Sequence, residues 1–463
     1  MKVAGNRNYG EHLTPGRIVR EYIVPWVMPD LFRYAIVDMF CGEGDMVIPL
    51  LELVPAEKRA EFVSGRVWLY DIQERMVSRT VERLLSIGIP ARIAESKVMV
   101  RDTLENYPAE PRRSGLPVFH ITNPPYLYLG YIRKNPSSRS LYRYFSGDNR
   151  GLQDLYQVSM NNDSSNGVER MIYVIPSNFL YASSGSNLIR EIILRKYHVR
   201  EAIVLEKKVF RNTGFNVSIL DLQRKKHPVD EPQAFTARKP GSAQPSREIV
   251  LSPSNSYRAG SYFDRFISTH AGANSLQVNY YLRGAEVRNN AGDHPLRVMD
   301  ANRFKAGRYT VNEIRVNSHL LQRVMANPVY VRTLDSGSQA GRAGLSIVRD
   351  DFGVDGIVAE KTYRTHPIQL FIDPPLTHGD SVFLVKAFNL YLEHLRQVTD
   401  SEFLTTYKYS ESPYTRKYLG LTQVKKLIAT IPMDSIPESR KAEIMGLIES
   451  GKHGEALSSL AEK

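Results

Sequence analysis

One cysteine, Cys41, stands in the 463 residues. Without a second thiol the chain forms no internal disulfide and no cysteine-based zinc cluster. Cys41 sits beside glycines, and its residue type suits the filling of a tight strand-to-helix turn. Long apolar runs are also missing. None approaches the roughly 20 residues needed to cross a bilayer, and the opening MKVAGNRNYGEHL lacks the charged-then-apolar order of a secretory signal. A cytoplasmic protein with no membrane partner is therefore expected. No internal repeat is evident. The composition, 42% hydrophobic and 24% charged, is that of a globular chain whose length suggests two or three domains.

What is abundant is positive charge. Lys and Arg number 61 against 49 Asp and Glu, a net charge of +12, which favours a polyanionic partner such as nucleic acid or a membrane surface. Its placement says more than the total: residues 281 to 349 hold eleven Arg or Lys against five Asp or Glu. Two shorter basic stretches, RKNPSSRSLYRYF (133 to 145) and YKYSESPYTRKY (407 to 418), interleave aromatics with the charge.

Residues 35 to 125 alternate between β-rich and helical patterns. Apolar runs at AIVDMF, GRVWLYD, SKVMVRD and PVFHITN end in Asp38, Asp71, Asp102 and Asn123. The first two intervals, 33 and 31 residues, match a βαβ unit of about 30. The pattern predicts a Rossmann-like, doubly wound α/β sheet, which binds ligands at the carboxyl ends of its strands. RMIYVIPSNFL, EAIVLE and NVSILDLQ supply further strands. Around 224 to 247 the text turns to Pro, Ser, Gln and charge, which predicts a boundary between a catalytic domain, 1 to 228, and a second domain, 245 to 463. That second domain reads as α+β, with a helical end from Glu438.

The first turn, DMFCGEGD, carries Gly42 and Gly44 but has Val47 where a dinucleotide fingerprint needs a third glycine. An adenosine cofactor without phosphate suits it better: Asp71 is placed to accept both ribose hydroxyls, and Asp102 to accept an adenine amino group. Singly, each aspartate reads equally as a cap or turn residue; their common spacing is what speaks for a site. At the fourth strand end, NPPY presents a rigid pair of acceptors. An amino group conjugated to a π-system is a poor nucleophile until its two hydrogens are held by fixed acceptors. Asn123 offers a side-chain oxygen, Pro124 and Pro125 fix a carbonyl with no competing amide hydrogen, and Tyr126 offers a flat stacking face.

DMFCGEG, LYD, VRD and NPPY, in that order and at those intervals, resemble the motifs of S-adenosylmethionine-dependent amino-methyltransferases. HLTPGRIVREYI (12 to 23) and the stretch from 174 to 224 are similar to the gamma class of DNA adenine-N6 methyltransferases, so the resemblance covers roughly residues 9 to 225. It implies S-adenosyl-L-methionine as cofactor and no metal. It places Thr14 at the methionine end, Asp38, Phe40 and Gly42 along the pocket, Asp71 on the ribose, Ile72 on the adenine and Asp102 on its amino group. Asn123 and Pro124 would hold the target amine, with Tyr126 and Phe210 stacking on a flipped base.

The resemblance further implies methylation of adenine N6 in double-stranded DNA within a restriction-modification or related defence system. The second domain would read the target sequence, 133 to 145 would face DNA, and any partner endonuclease would be a separate chain. Cytosine N4, RNA bases, protein glutamine and a non-catalytic DNA-binding specificity module stay open as alternatives. IDPPLTH (372 to 378) has Leu376 in place of the stacking aromatic and reads as a structural turn. VDGIVAEK (354 to 361) lacks the spacing of a nuclease cluster.

Overall fold

A computed structural model describes residues 13–182, 185–205, 209, 216–241, 245–335, 342–363, 366–399, 402–406 and 417–461. Nine strands form the first sheet: β1 (Ala35–Asp38), β2 (Val67–Asp71), β3 (Val98–Val100), β4 (Val118–Thr122), β5 (Arg170–Pro176), β6 (Tyr197–Leu205), β7 (Val217–Arg224), β8 (Gln233–Arg238) and β9 (Ser246–Leu251). Their order is β3-β2-β1-β4-β5-β7-β6-β8-β9. Every residue of β1, β2, β4 and β5 is buried, as parallel strands covered on both faces must be. That burial explains their uninterrupted apolar text.

From β3 to β5 the neighbours run parallel, whereas β7 is antiparallel to both β5 and β6. The chain leaves β1 for β2 on one side and returns to β4 on the other. Strand order therefore reverses between β1 and β4, which opens a crevice at their carboxyl ends. Helices flank the sheet. Glu74–Ser86, for example, turns Met76, Val77, Thr80 and Leu84 inward and its charges outward.

The boundary expected between 228 and 245 lies elsewhere. Strands β8 and β9 pair with each other and β8 joins β6, so the proline-rich stretch belongs to the first sheet, and the first compact unit closes at Ala259. The alternating burial of β8 marks a sheet margin covered on one face only, which is why its sequence resembles a linker.

The second unit, from Gly260 on, is α+β as expected. One sheet of Gln277–Tyr280, Pro367–Asp373, Val329–Arg332 and Gly344–Ile347 packs on the long helix His378–Thr399. A second sheet contains the hairpin Ala291–Lys305 with Arg308–Val316. IDPPLTH forms the turn from strand Pro367–Asp373 into that long helix, and VDGIVAEK contains strand Gly356–Ala359, with Glu360 paired to Arg288. The helical end divides at Gly451 into Glu438–Glu449 and His453–Ala461.

One buried ion pair stitches the first sheet to the helical run before it. Arg170, 1% exposed, donates twice to Asp221 (2.9 and 2.7 Å), once to Asp30 (2.9 Å) and once to the carbonyl of Trp26 (2.9 Å). Breaking such a pair leaves an uncompensated charge in a low-dielectric interior. Asp221→Ala should lower unfolding free energy by about 3 kcal/mol, the low end of the usual range because Asp30 remains, as read by denaturant titration.

Candidate active site at the strand ends

The turn after β1 sets the geometry. Gly42 (φ +55°) and Gly44 (φ +81°) both lie in the left-handed region, and a Cβ on Gly44 would come within 2.8 Å of the Ile48 side chain. With the backbone bent this way, the Gly42 N–H faces the end of β2 and donates to Asp71 Oδ2 (2.9 Å). Asp71 Oδ1 accepts from the N–H of Gln73 (2.9 Å) at the start of helix Glu74–Ser86. One carboxylate thus ties turn, strand and helix together. Burial pushes its pKa up, against the pull of those amides. Cys41 is buried in the turn, the structural place expected for it.

Beneath the turn lies a polar layer that the sequence did not reveal. His120 Nε2 accepts the N–H of Met39 (3.1 Å), so its Nδ1 carries the hydrogen and donates to Asp163 (2.5 Å). The phenols of Tyr173 (2.6 Å) and Tyr107 (2.9 Å) also donate to Asp163. On the next peptide group, Thr103 donates to the Met39 carbonyl (3.0 Å). A histidine inside the otherwise apolar PVFHIT was the only signal. Nothing in the text marks Asp163, on helix Leu155–Ser165, as its partner.

Asp38 is fully buried. Its Oδ1 accepts from the Thr122 hydroxyl (2.7 Å) and the Phe40 N–H (3.1 Å), while its Oδ2 has no partner among the described residues. Burial raises its pKa to about 6, partly countered by the hydrogen bonds from Thr122 and the Phe40 N–H.

A cleft opens above these groups. Phe40, Gly42, Asp71, Ile72, Asp102, Asn123, Pro124 and Pro125 all line it, so eight residues expected from four separate strand ends share one cavity. Gly44 lies in the turn behind it. Thr14 reaches the site through Asn123, whose Nδ2 donates to its hydroxyl (2.9 Å). Asp102 accepts from the Tyr144 phenol (2.6 Å), Arg143 (3.0 Å) and the N–H of Glu105 (3.3 Å). A carboxylate has about four acceptor positions, which leaves one for a ligand.

Leu141 and Tyr144 of the 3₁₀ segment Pro136–Phe145 complete the wall. The stretch 133 to 145, expected to face DNA, divides between this wall and an outer surface. Leu141, Tyr144 and Phe145 are buried, and Arg143 pairs with Asp102 and Glu105, whereas Arg133, Lys134, Arg139 and Tyr142 are exposed.

Tyr126 departs from expectation too. Its ring is only 6% exposed and does not line the cleft. Its phenol has one hydrogen between two acceptors, Asn123 Oδ1 and the carbonyl of Val174 (2.5 Å), and burial raises its pKa so that it stays a donor. Among the described residues the cation that lines the cleft, Arg101, is bidentate to Glu110 (2.9 and 2.8 Å), which leaves no open guanidinium for a phosphate. The acceptor carboxylates Asp71 and Asp102 with apolar Ile72 and Phe40 instead fit an uncharged nucleoside, while Asp38, expected along the pocket, is fully buried and does not line the cleft. Phe210 lies outside the described residues, as do 407 to 416 of the second basic stretch.

The raised pKa of Asp38 makes a signed prediction. The folded state holds its proton more tightly than the unfolded one, so this contribution is complete below about pH 4 and is lost as pH rises through about 6. Across that window the stability of the wild type relative to Asp38→Asn should fall by about 1.4 kcal/mol per pH unit, then level off, in paired urea titrations.

Residues 2–288, more than half of the chain, match the family described as N-6 DNA Methylase. Among curated proteins, none matches the sequence. Solved structures that are similar at low identity include the type I restriction-modification system methyltransferase subunit from Streptococcus thermophilus, with 15% identity, 50% of this chain and 48% of that one covered, and a TM-score of 0.33. The M protein of the type I restriction enzyme EcoKI has 13% identity, 50% of each chain covered and a TM-score of 0.35. The type IIG restriction endonuclease BpuSI has 10% identity, 96% of this chain and 62% of that one covered, and a TM-score of 0.43. The chain spans about half the length of the first two. By its sequence over residues 2–288, the chain belongs to the N-6 DNA methylase family.

Proposed function

We propose that the protein transfers a methyl group from S-adenosylmethionine to the N6 amino group of adenine in double-stranded DNA, within a restriction-modification system. The observation that carries this reading is the single cleft shared by Asp71, Asp102, Asn123 and Pro124. When bound, the sulfonium of the cofactor supplies an electrophilic methyl group.

Each residue then has a task that follows from its chemistry. The Asp71 carboxylate accepts ribose hydroxyls, Asp102 uses its remaining acceptor position for the adenine amino group, and Ile72 covers the ring. Phe40 and Gly42 shape the pocket, Thr14 serves the methionine end, and Asp38, buried below the turn, holds the Phe40 N–H and the Thr122 hydroxyl that support it. At the other end of the cleft, Asn123 Oδ1 and the Pro124 carbonyl take the two hydrogens of the target amine and draw it toward tetrahedral geometry. The lone pair is then localised for attack.

A base inside a duplex must rotate out of the stack, at a cost of a few kcal/mol. Stacking on Tyr126 and Phe210 would offset it by about 1–3 kcal/mol per base. For Tyr126 this requires the buried ring to turn outward, and the same movement withdraws its phenol from Asn123 Oδ1. Arrival of the base and release of the acceptor thus become one event.

The test is incubation of duplex DNA with methyl-labelled S-adenosylmethionine, followed by nucleoside analysis. Label in N6-methyldeoxyadenosine is expected; label confined to N4-methyldeoxycytidine, RNA or protein would refute the reading. Asn123→Ala should reduce turnover by about 10²-fold or more with cofactor affinity within about threefold of wild type. Tyr126→Phe should keep most of the turnover, and Tyr126→Ala should lose about tenfold or more in kcat/KM.

A further inference from the structure

In the second unit, strands Ala291–Lys305 and Arg308–Val316 form a two-stranded ribbon that ends in Ala306 (φ +47°) and Gly307 (φ +79°). Two successive left-handed residues make the tight turn that matches strand twist, so the tip is a fixed shape. Residues 303 to 308 are all exposed, with Phe304 58% exposed. An aromatic side chain so placed at a loop tip leaves more than half of its surface in solvent.

The tip is nonetheless braced. Phe304 packs on Tyr309 (centroids 4.7 Å), Tyr309 on Phe352 (6.1 Å) and Phe352 on Tyr330 (5.1 Å), a run of rings from the tip to the core. Asn302 holds the neighbouring loop, accepting from the N–H groups of Glu360 (2.7 Å) and Lys361 (3.1 Å) and donating to the carbonyl of Lys361 (2.7 Å). That clamp sets Lys361 and the half-exposed Tyr363 beside the ribbon. Around Phe304 stand Arg303, Lys305 and Arg308. Arg303 pairs with Asp300 (3.3 Å), while Lys305 and Arg308 have no ion-pair partner among the described residues. Cations without counterions, interleaved with exposed aromatics on a rigid ribbon, call for an anionic partner with flat or methylated surfaces.

We propose that this hairpin tip is a duplex-DNA reading element, entering the major groove with Lys305, Arg308 and Lys361 on phosphates and Phe304 against base edges. A two-stranded ribbon fits the groove, which is about 12 Å wide. Phosphate contacts fix the register, and an apolar side chain such as Phe304 distinguishes a thymine methyl from the other base edges. This rests on the duplex-DNA reading above and names the surface that the composition of residues 281 to 349 could not.

Full-length protein is titrated with a labelled random-sequence duplex at rising salt. Each lost phosphate contact removes about 0.9 from the slope of log K against log salt, so between about 50 and 200 mM salt Lys305→Gln/Arg308→Gln should lose about tenfold less affinity than wild type. Phe304→Ala should keep the wild-type slope. In sequenced methylation products it should raise modification of single-mismatch sites about fivefold or more relative to the preferred site. Both changes are exposed, and unaltered cofactor affinity and melting temperature check that the fold is intact. A wild-type slope in the double variant, or a loss of binding confined to RNA, overturns the hairpin assignment while DNA methylation by the wild type leaves the functional reading standing. Failure of the wild type to bind or methylate duplex DNA removes both.

Discussion

The peptide groups from Met39 to Gly42 leave the sheet, and apart from the Cys41 N–H, which donates to the Tyr70 carbonyl of β2 (2.8 Å), they turn away from the strand ladder. An unpaired buried amide costs about as much as a lost hydrogen bond, so side chains have to take over. His120 and Thr103 hold the peptide groups on either side of the Met39 Cα, and Asp71 holds Gly42. Because those partners come from β4, from the loop after β3 and from β2, the turn is pinned to three strand ends at once. The cleft inherits its shape from that pinning. Asp71 serves the scaffold with one set of lone pairs and faces the cleft with what remains, so scaffold and ligand site cannot be varied separately.

Much of the first sheet was legible because its inner strands are buried on both faces. Continuous apolar text is what such burial requires, and Asp38 and Asp71 are indeed the last residues of β1 and β2, with Asn123 next after β4. Legibility fell off wherever burial became one-sided. The short β3 covers only Val98–Val100 of the SKVMVRD run, and β8 with β9 resembled a linker because half of their residues meet solvent. The grouping of Asp71, Asp102 and Asn123 followed from their chain spacing. The His120–Asp163 pair did not, since a contact across 43 positions between a strand and a helix leaves no periodic trace.

Side-chain direction was the other blind spot. A motif fixes which residue stands at a position, but its rotamer depends on neighbours drawn from the whole unit. Tyr126 turns toward the Val174 carbonyl rather than the cleft, and the basic stretch 133 to 145 is split by its own 3₁₀ turn into a buried wall and a charged outer surface. In both cases residue type was informative and orientation was not. The second unit repeats the lesson at larger scale: its surplus of Arg was visible in the composition, while many of those guanidiniums are spent on local carboxylates such as Glu286, Glu360 and Glu393.

The membership of β8 and β9 in the first sheet bears on how the first unit can be isolated. A fragment cut in the proline-rich stretch would strip away two strands and leave the backbone of β6 open along the side it now shares with β8. Raw strand margins of that kind recruit other chains and precipitate. A soluble stand-alone fragment has to be carried to about Ala259, past the point where the text itself invites the scissors.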